Sequence, residues 1–285
     1  MAQPRTIAAR GAHDAQRTAQ NAATSPAANL VARCGLATKG IVYIIVGLLS
    51  AQVALYRGGA TKDNVGAIQF VYNQPGGKIL LALVAVGLLA YALFDIAKGL
   101  LDLEQKGTQP KGIVERIGYA VAGVTYGVLA WGAFQLVIGA GSGGKTTDAT
   151  AHDRTAQALQ LPLGPALVVV GCLVFLGVAA AQFAQAYTAS FQKHLRLTSL
   201  GAPAQGLIVF IGRFGLAARG VVFAIIGFFL ILAALRQNPS EAKGMAGALQ
   251  ELLNHPYGHA LLGIVAFGFV AFGAYSCVEA RFRTL

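Results

Sequence analysis

Apolar residues run along this chain in six long blocks that contain no Lys, Arg, Asp or Glu. The blocks cover residues 40–56, 79–94, 117–144, 155–192, 220–235 and 260–278. About 20 mainly apolar residues are needed to cross the hydrocarbon core of a bilayer. The three shortest blocks reach that length when a flanking lysine or arginine extends its cationic group to the lipid headgroups. The pattern therefore predicts six membrane-spanning helices.

The same short motif opens three of these blocks. Residues 33–43 read RCGLATKGIVY, and residues 213–223 read RFGLAARGVVF. A third copy, ERIGYAVAGVTYG at 115–127, has Ala122 in place of the second cation. Self-similarity at a regular spacing indicates one structural unit that is repeated along the chain.

A second motif follows each copy of the first. GAIQFVYNQPGGKILLALVAVG at 66–87 aligns with GALQELLNHPYGHALLGIVAFG at 247–268, and QLPLGPALVVVG at 160–171 is the middle counterpart. The residue before a proline is pushed out of the helical region, and proline itself suits the first turn of a helix. We therefore expect each proline to end a short connector helix and to start the return helix. We expect Asp63 to cap the first connector helix.

Each unit then consists of a spanning helix, a connector and a return helix. Because a unit with two spans enters and leaves on the same side, the three units share one orientation, unlike the inverted repeats of many transporters. The predicted fold is all-α: six transmembrane helices from three parallel two-helix repeats, with short amphipathic outer connector helices, in a pseudo-three-fold bundle. The predicted boundaries are a flexible cytoplasmic tail at 1–30 and repeats at 31–105, 111–196 and 207–282.

Composition agrees with a membrane protein, because 55% of the residues are hydrophobic and only 12% are charged, against about 25% in soluble domains. The net charge of +11 follows the positive-inside rule, so we expect no nucleic-acid partner. On the side of the termini lie twelve cations: Arg5, Arg10, Arg17, Arg33, Lys106, Lys111, Arg116, Lys193, Arg196, Arg213, Arg281 and Arg283. On the connector side lie seven: Arg57, Lys62, Lys78, Lys145, Arg154, Arg236 and Lys243. Both termini are therefore predicted to lie in the cytoplasm.

The glycines and cations of the first motif have structural interpretations. Small residues let helices approach closely in lipid, so recurring glycines predict helix-packing surfaces. These glycines are Gly40, Gly47, Gly123, Gly127, Gly220 and Gly227. The cations are expected to anchor helix ends in the headgroup layer, or to pair with acidic groups at the cytoplasmic ends of the return helices. This cytoplasmic cation set is Arg33, Lys39, Arg116, Arg213 and Arg219.

Alignment of the repeats also places three polar residues at equivalent positions, each twenty residues after the connector proline: Asp95, Gln182 and Ser276. Polar groups inside a membrane are costly and generally face the bundle interior or water. Such a polar ring has two interpretations. It marks a permeation path or a small-ligand site, or it is structural: each member hydrogen-bonds a neighbouring helix, or Asp95 pairs with Lys98.

The sequence contains no nucleophile–base arrangement, no paired carboxylates and no cluster with metal-ligand spacing, and its three cysteines are isolated. We therefore expect neither an enzyme nor a metal or cofactor site. The leading hypothesis is a non-enzymatic accessory, assembly or interaction subunit. Its expected partners are the lipid bilayer and other membrane proteins or further copies of itself. The alternative is a small-solute or ion channel or permease that uses the pseudo-three-fold axis.

The three-fold signature Arg-x-Gly-x-x-x-(Lys/Arg)-Gly-x-x-(Tyr/Phe), each copy followed by Pro-x-Gly, resembles a bacterial family known as domain of unknown function 1206. The resemblance extends over residues 31–282. The middle copy departs from it at Ala122 and in a longer, Gly/Thr-rich connector at 141–151. The resemblance implies a bacterial cytoplasmic-membrane protein with three two-helix repeats. It implies no activity, cofactor or site residue.

Overall fold

The computed structural model describes residues 26–56, 61–103, 107, 109–140, 144–195 and 201–283. These residues form nine α-helices and no β-strand. The helices are α1 (Pro26–Tyr56), α2 (Asn64–Tyr72), α3 (Gly77–Leu101), α4 (Pro110–Val137), α5 (Thr147–Leu159), α6 (Gly164–Thr188), α7 (Ala202–Arg236), α8 (Met245–Asn254) and α9 (Gly258–Phe282). Six of them, α1, α3, α4, α6, α7 and α9, are long and apolar enough to cross a membrane. The all-α, six-span prediction is confirmed.

The first helix begins earlier than the sequence analysis expected. α1 starts at Pro26, inside the segment 1–30 that was assigned to a tail. Proline suits the first helical position, and the alanines that follow it favour helix, which explains the earlier start. Residues 1–25 of the predicted tail lie outside the described residues.

The spanning helices follow one another around the bundle in the order α6, α7, α9, α1, α3, α4. Each neighbouring pair runs antiparallel, so the three units share one orientation, as the repeat predicted. We call the end that holds the start of α1 the terminal side and the opposite end the connector side. The largest interfaces join different units: α9 with α1, α3 with α4, and α6 with α7. Each unit is therefore held mainly by its neighbours.

The same motif glycine makes each of these three interfaces. The pairs are Gly40 with Cys277, Gly123 with Ile96, and Gly220 with Phe183. A β-carbon added at Gly40 or Gly123 would lie 2.6 Å from the nearest atom of the facing helix, closer than β-carbons pack, and one added at Gly220 would lie 3.0 Å from the Phe183 ring, which would have to shift. Two turns further on, Gly47 lies against Val270 and Gly227 against Leu176 in the same way. In the middle unit Gly127, one turn after Gly123, makes only an ordinary contact of 3.8 Å.

The Pro-x-Gly motif builds the turn between each connector helix and the return helix. Its glycine is the first residue of the return helix, where a β-carbon would lie 2.1 to 2.6 Å from a carbonyl oxygen of the connector helix. The middle residue has a left-handed backbone, with φ of 73° at Gly76 and 65° at Leu163 and Tyr257. The close approach at the turn therefore requires the glycine. The proline lies two residues before the return helix and does not start it, which corrects the sequence prediction.

The middle unit departs from the other two. In the first and third units, Gly35 packs against Tyr91 and Gly215 against Phe272, with β-carbon distances of 2.6 and 2.5 Å. The equivalent Gly118 on α4 has nothing within 4 Å, and α4 shares no packed interface with α6 among the described residues. Only 22% of the apolar membrane-spanning stretch of α6 is buried, against 39% to 56% in the other five long helices. The ring of helices is therefore open at this point.

We call this opening the α4–α6 seam; it is bordered by Gly118 and Val121 on α4 and by Gly171, Val174 and Val178 on α6. The connector of the middle unit explains why the seam is open. Its helix α5 has 13 residues, against 9 in α2 and 10 in α8, and it leans onto α8 of the third unit. The helix that connects α4 to α6 is thus packed against another unit.

Candidate functional site

Charged and aromatic side chains meet in the centre of the bundle at the level of the repeated motif. We call this group the central cluster; its members are Lys39, Tyr43, Tyr91, Asp95, Lys98, Tyr126, Arg219, Phe272, Ser276 and Glu279. All of them except Arg219 are less than 10% exposed, and Arg219 is partly exposed. Buried ionisable groups within a membrane-spanning bundle are costly, and they generally mark a functional site.

Lys39 is held by aromatic groups and one hydroxyl. Its Nζ donates a hydrogen bond to the Tyr91 hydroxyl at 3.1 Å and lies 4.7 Å from the centre of that ring. It also lies 5.3 Å from the centre of the Phe272 ring. Among the described residues, no acidic side chain comes within 4 Å of this ammonium.

Arg219 occupies the related position in the third unit and faces the same ring from α7. Its guanidinium carbon lies 4.3 Å from the centre of Phe272, 5.1 Å from Tyr43 and 5.2 Å from Phe223. Its Nε is buried and has no hydrogen-bond partner. The Phe272 ring thus contacts two cations, Lys39 and Arg219, through cation–π interactions.

The acids of the cluster are each paired with a different cation. Asp95 forms an ion pair with Lys98 at 2.7 Å, one of the two arrangements that the sequence allowed. Glu279 pairs with Arg283 at the end of α9. The charges of Lys39 and Arg219 are therefore not offset by a carboxylate in direct contact.

The three residues of the predicted polar ring have different environments. Asp95 and Ser276 lie in the central cluster, 1% and 0% exposed, and the Ser276 Oγ has no hydrogen-bond partner. Gln182 lies on α6, whose neighbouring spanning helix is α7, and its buried Oε1 also has no partner. The structure brings two members of the ring into one cluster, while the third lies on the helix that borders the seam.

The predicted cation set divides in the same way. Arg116 donates from its guanidinium to the carbonyls of Gly99 and Leu100, at 2.9 and 3.0 Å, and so caps the end of α3. Arg213 is exposed and borders a surface groove of about 950 Å³ between α6 and α7, and Arg33 is partly exposed. Only Lys39 and Arg219 reach the central cluster. Tyr91 and Phe272 were not among the predicted site residues, although aromatic residues recur at these two positions at the repeat offset of 181.

A second polar centre joins the three connectors. The Asp63 carboxylate, 1% exposed, accepts a hydrogen bond from Gly66 N at 2.8 Å, which makes it the N-cap of α2 as the sequence predicted. It also accepts from the backbone N and the Oγ1 of Thr147, at 2.6 and 2.8 Å, at the start of α5. One carboxylate therefore serves the N-termini of two helices, where partial positive charge favours an anion.

Asp148, the residue after Thr147, connects the third connector helix, α8, to the same centre. Asp148 Oδ1 accepts from Gly244 N at 2.6 Å and from Gly247 N at 3.0 Å, at the start of α8. Thr147 Oγ1 accepts from Met245 N at 3.0 Å. We call Asp63, Thr147, Asp148 and the first turn of α8 the connector knot. It links all three units on the connector side, and the role of Asp148 in it was not predicted from the sequence.

Comparison with known proteins places the chain in a family without a described activity. A family model described as Domain of Unknown Function (DUF1206) matches three segments, residues 34–102, 117–189 and 214–283. A similar curated protein is the Uncharacterized protein YxxB of Bacillus subtilis (strain 168), 31% identical over 260 residues, which cover 91% of this chain and 93% of that protein. No solved structure matches the chain.

Proposed function

The chain belongs to the DUF1206 family, whose description names no activity, and we propose from the geometry that it is a non-enzymatic interaction subunit of the bacterial cytoplasmic membrane. It assembles through the α4–α6 seam, and the occupant of the seam is a second copy of the chain. One observation carries this proposal. Gly118 has nothing within 4 Å, whereas Gly35 and Gly215, its counterparts in the other units, are covered by the return helix of their own unit.

The two borders of the seam suit each other. Gly118 corresponds by repeat to Gly35 and Gly215, and Val178 corresponds to the residues that cover those glycines. A flat glycine surface favours close approach of a helix backbone, because dispersion contacts drive helix association where lipid removes the hydrophobic driving force. On α4 the exposed face includes Val121, 55% exposed, and on α6 it includes Val174, 54% exposed. These are helix-packing faces without a packed helix.

A second copy of the chain would supply a packing partner for both exposed helices, because its α6 can cover α4 and its α4 can cover α6. A two-fold axis along the membrane normal would place α4 of each copy on α6 of the other, so one symmetric interface covers both borders of the seam. Within a single chain the two helices stay apart because α5, which joins them, is fastened to the other units by the connector knot. Pairing between copies leaves that knot intact.

The alternative, solute passage along the bundle axis, has less support from this arrangement. At the level of the central cluster, Tyr43 packs edge-on against Phe272 at 4.9 Å between ring centres, and Tyr91 packs edge-on against Tyr126 at 4.8 Å. On the opposite side the connector knot joins all three connectors. We expect proteoliposomes with the native protein and with Asp95→Ala to show the same small-ion leakage as empty liposomes, and leakage that depends on Asp95 would favour conduction.

Cross-linking between copies tests the pairing. In a background with alanine at the three native cysteines, Gly118→Cys and Val178→Cys chains with different tags are co-expressed and oxidised in membranes. We expect a mixed disulfide-linked dimer, because the two positions would meet across the two-fold axis. The control combines Val178→Cys with Leu93→Cys, an exposed site on α3 away from the seam, and should give no mixed dimer. Equal yields from the two combinations would contradict the proposal.

A packing variant adds an independent readout of the same prediction. Gly118→Leu fits into open space in the single chain, so it should leave folding intact while it blocks close approach of a second copy. The mass of the particle in lipid nanodiscs should then fall from two chains to one. A native protein that is already a single chain in nanodiscs and in membranes would exclude a second copy as the occupant.

The proposed orientation can be tested by labelling. Lys62 lies on the connector side and Gln192 on the terminal side, and both are exposed. With cysteine at these sites in the same cysteine-free background, a membrane-impermeant maleimide should label Lys62→Cys in intact spheroplasts. It should label Gln192→Cys only after permeabilisation, because the excess of cations lies on the terminal side. The reverse result would place the termini outside.

A further inference from the structure

We infer that the central cluster is a binding site for an oxyanion, the carboxylate or phosphate group of a ligand, which is held by Arg219, Lys39 and Ser276. The site lies within one chain, so it does not depend on the pairing of two copies. Ser276 follows Phe272 by one helical turn on α9 and so lies on the same helix face as the ring that both cations contact.

Charge is the first reason. Lys39 and Arg219 approach the same ring, at 5.3 and 4.3 Å from its centre, and neither has a carboxylate within 4 Å among the described residues. Two like charges at this distance from one ring repel each other, and burial weakens their hydration. Cation–π contacts offset only part of that cost. An anion between the two cations would offset the remainder.

Unused hydrogen-bond capacity is the second reason. The Nε of Arg219 and the Oγ of Ser276 are buried without a partner, and buried polar atoms of this kind are rare in folded proteins. The Lys39 ammonium carries three donors and makes one hydrogen bond, to the Tyr91 hydroxyl. The three side chains thus present donors that need an acceptor, and a group with several oxygens can serve all of them.

The two acids of the central cluster attract Lys39 from a distance but do not contact it or Arg219, because Asp95 pairs with Lys98 and Glu279 with Arg283. The planar guanidinium of Arg219 matches the two oxygens of a carboxylate or phosphate, which a halide does not offer. Arg219 is also the one member of the cluster that is partly exposed, so we expect a ligand to approach the site past this side chain. The other members are buried, which restricts the site to a small group such as a headgroup.

The test separates a free anion from a lipid headgroup. The purified full-length protein is placed in phosphatidylcholine nanodiscs and titrated with inorganic phosphate against chloride at constant ionic strength. In a second series, phosphatidylglycerol replaces part of the phosphatidylcholine without added phosphate. The unfolding temperature and the binding isotherm are measured in both series, because a ligand that binds only the folded state stabilises it by RT ln(1 + L/Kd), where L is the free ligand concentration.

Three variants assign the effect to the site. Arg219→Gln should weaken binding by about 10- to 100-fold, as expected for the loss of charge-assisted hydrogen bonds. Arg213→Gln, an exposed arginine on the same helix, should stay within about two-fold of the native protein. Ser276→Ala removes a hydroxyl that has no partner in the protein, so it should keep the fold and weaken binding by about five-fold. If Arg219→Gln does not fold, the binding measured for Ser276→Ala tests the site by itself.

Saturable stabilisation by phosphate that is lost in the site variants supports a free anion as ligand. The same pattern with phosphatidylglycerol alone supports a lipid headgroup. The inference is overturned if neither additive gives a saturable effect, or if the effect persists in both Arg219→Gln and Ser276→Ala. Either result can occur whether or not the cross-linking of Gly118→Cys to Val178→Cys succeeds, so the two proposals stand or fall separately.

Discussion

Replacing Asp63 with alanine is expected to lower the free energy of unfolding by about 3 to 5 kcal/mol, because three hydrogen bonds to a buried carboxylate are lost together. The variant leaves Gly66 N and Thr147 N without an acceptor at the starts of α2 and α5. It also removes the negative charge that balances two helix N-termini. Steric-trapping or SDS titration of the purified protein in detergent micelles measures the change.

The matched control is Asp153→Asn, since this aspartate lies on α5 on the same side of the bundle. Its exposed carboxylate pairs with Lys145, and the ammonium holds the pKa of Asp153 below its usual value through a hydrogen bond and charge attraction. Water solvates both groups when the pair is lost, so we expect no measurable change in stability. Asp63→Asn, which keeps one acceptor oxygen, should fall between the two. Equal stabilities of Asp63→Ala and Asp153→Asn would show that the connector knot does not hold the units together.

Gly215→Ala and Gly118→Ala are expected to have opposite effects, although the two glycines occupy the same place in the repeated motif. At Gly215 the new methyl group would lie 2.5 Å from the backbone of Phe272, so α7 and α9 must separate, at a cost of about 3 kcal/mol. At Gly118 it meets nothing within 4 Å, and alanine is the better helix former, so stability should rise by up to about 1 kcal/mol.

Both variants are compared as single chains in detergent, by the same unfolding titration, so that assembly does not contribute. Gly35→Ala provides the internal check, because its methyl group would lie 2.6 Å from Tyr91 and it should behave as Gly215→Ala does. A destabilised Gly118→Ala would mean that the seam is closed in solution.

The six helices and their parallel units could be predicted from the sequence because both depend on local patterns. The length of each apolar block decides whether a segment spans, and the motifs repeat at offsets that any alignment shows. The Pro-x-Gly turn is equally local, since one left-handed residue and one glycine define it. Asp63 was predictable as a cap because an N-cap precedes its helix by one position.

The α4–α6 seam could not be predicted, because the middle unit keeps the glycine and Pro-x-Gly landmarks of the others and its longer connector does not show where α5 is fastened. Gly118, Pro162 and Gly164 imply the same packing, and the difference arises from where α5 is fastened. That fastening joins Thr147 to Asp63 and Asp148 to Gly244, residues that are far apart along the chain. Sequence patterns of short range do not contain such contacts.

The roles of the cations were also hidden. Lys39 and Arg219 lie close enough to the ends of their helices for the side chains to reach the lipid headgroups. The sequence was therefore equally compatible with headgroup anchoring and with burial in the bundle. Whether the two cations are buried depends on the direction in which their side chains point. Their aromatic contacts on two other helices show that they point into the bundle: Tyr91 on α3 and Phe272 on α9. The recurrence of aromatic residues at those two positions was visible in the sequence, but only the assembled bundle connects them with the cations.

The large interface between α1 and α9 has a consequence for biogenesis. Insertion into a membrane proceeds from the N-terminus during translation, so the first helix leaves the ribosome long before its main partner has been made. Until then, the bare backbone at Gly40 and Gly47 faces lipid or a chaperone, although α3 already covers Gly35 and offers Tyr91 to Lys39. The packing of α1 onto α9 thus follows the synthesis of the other five spanning helices, and a chain that stops before α9 would expose this glycine face to the quality-control proteases of the cell.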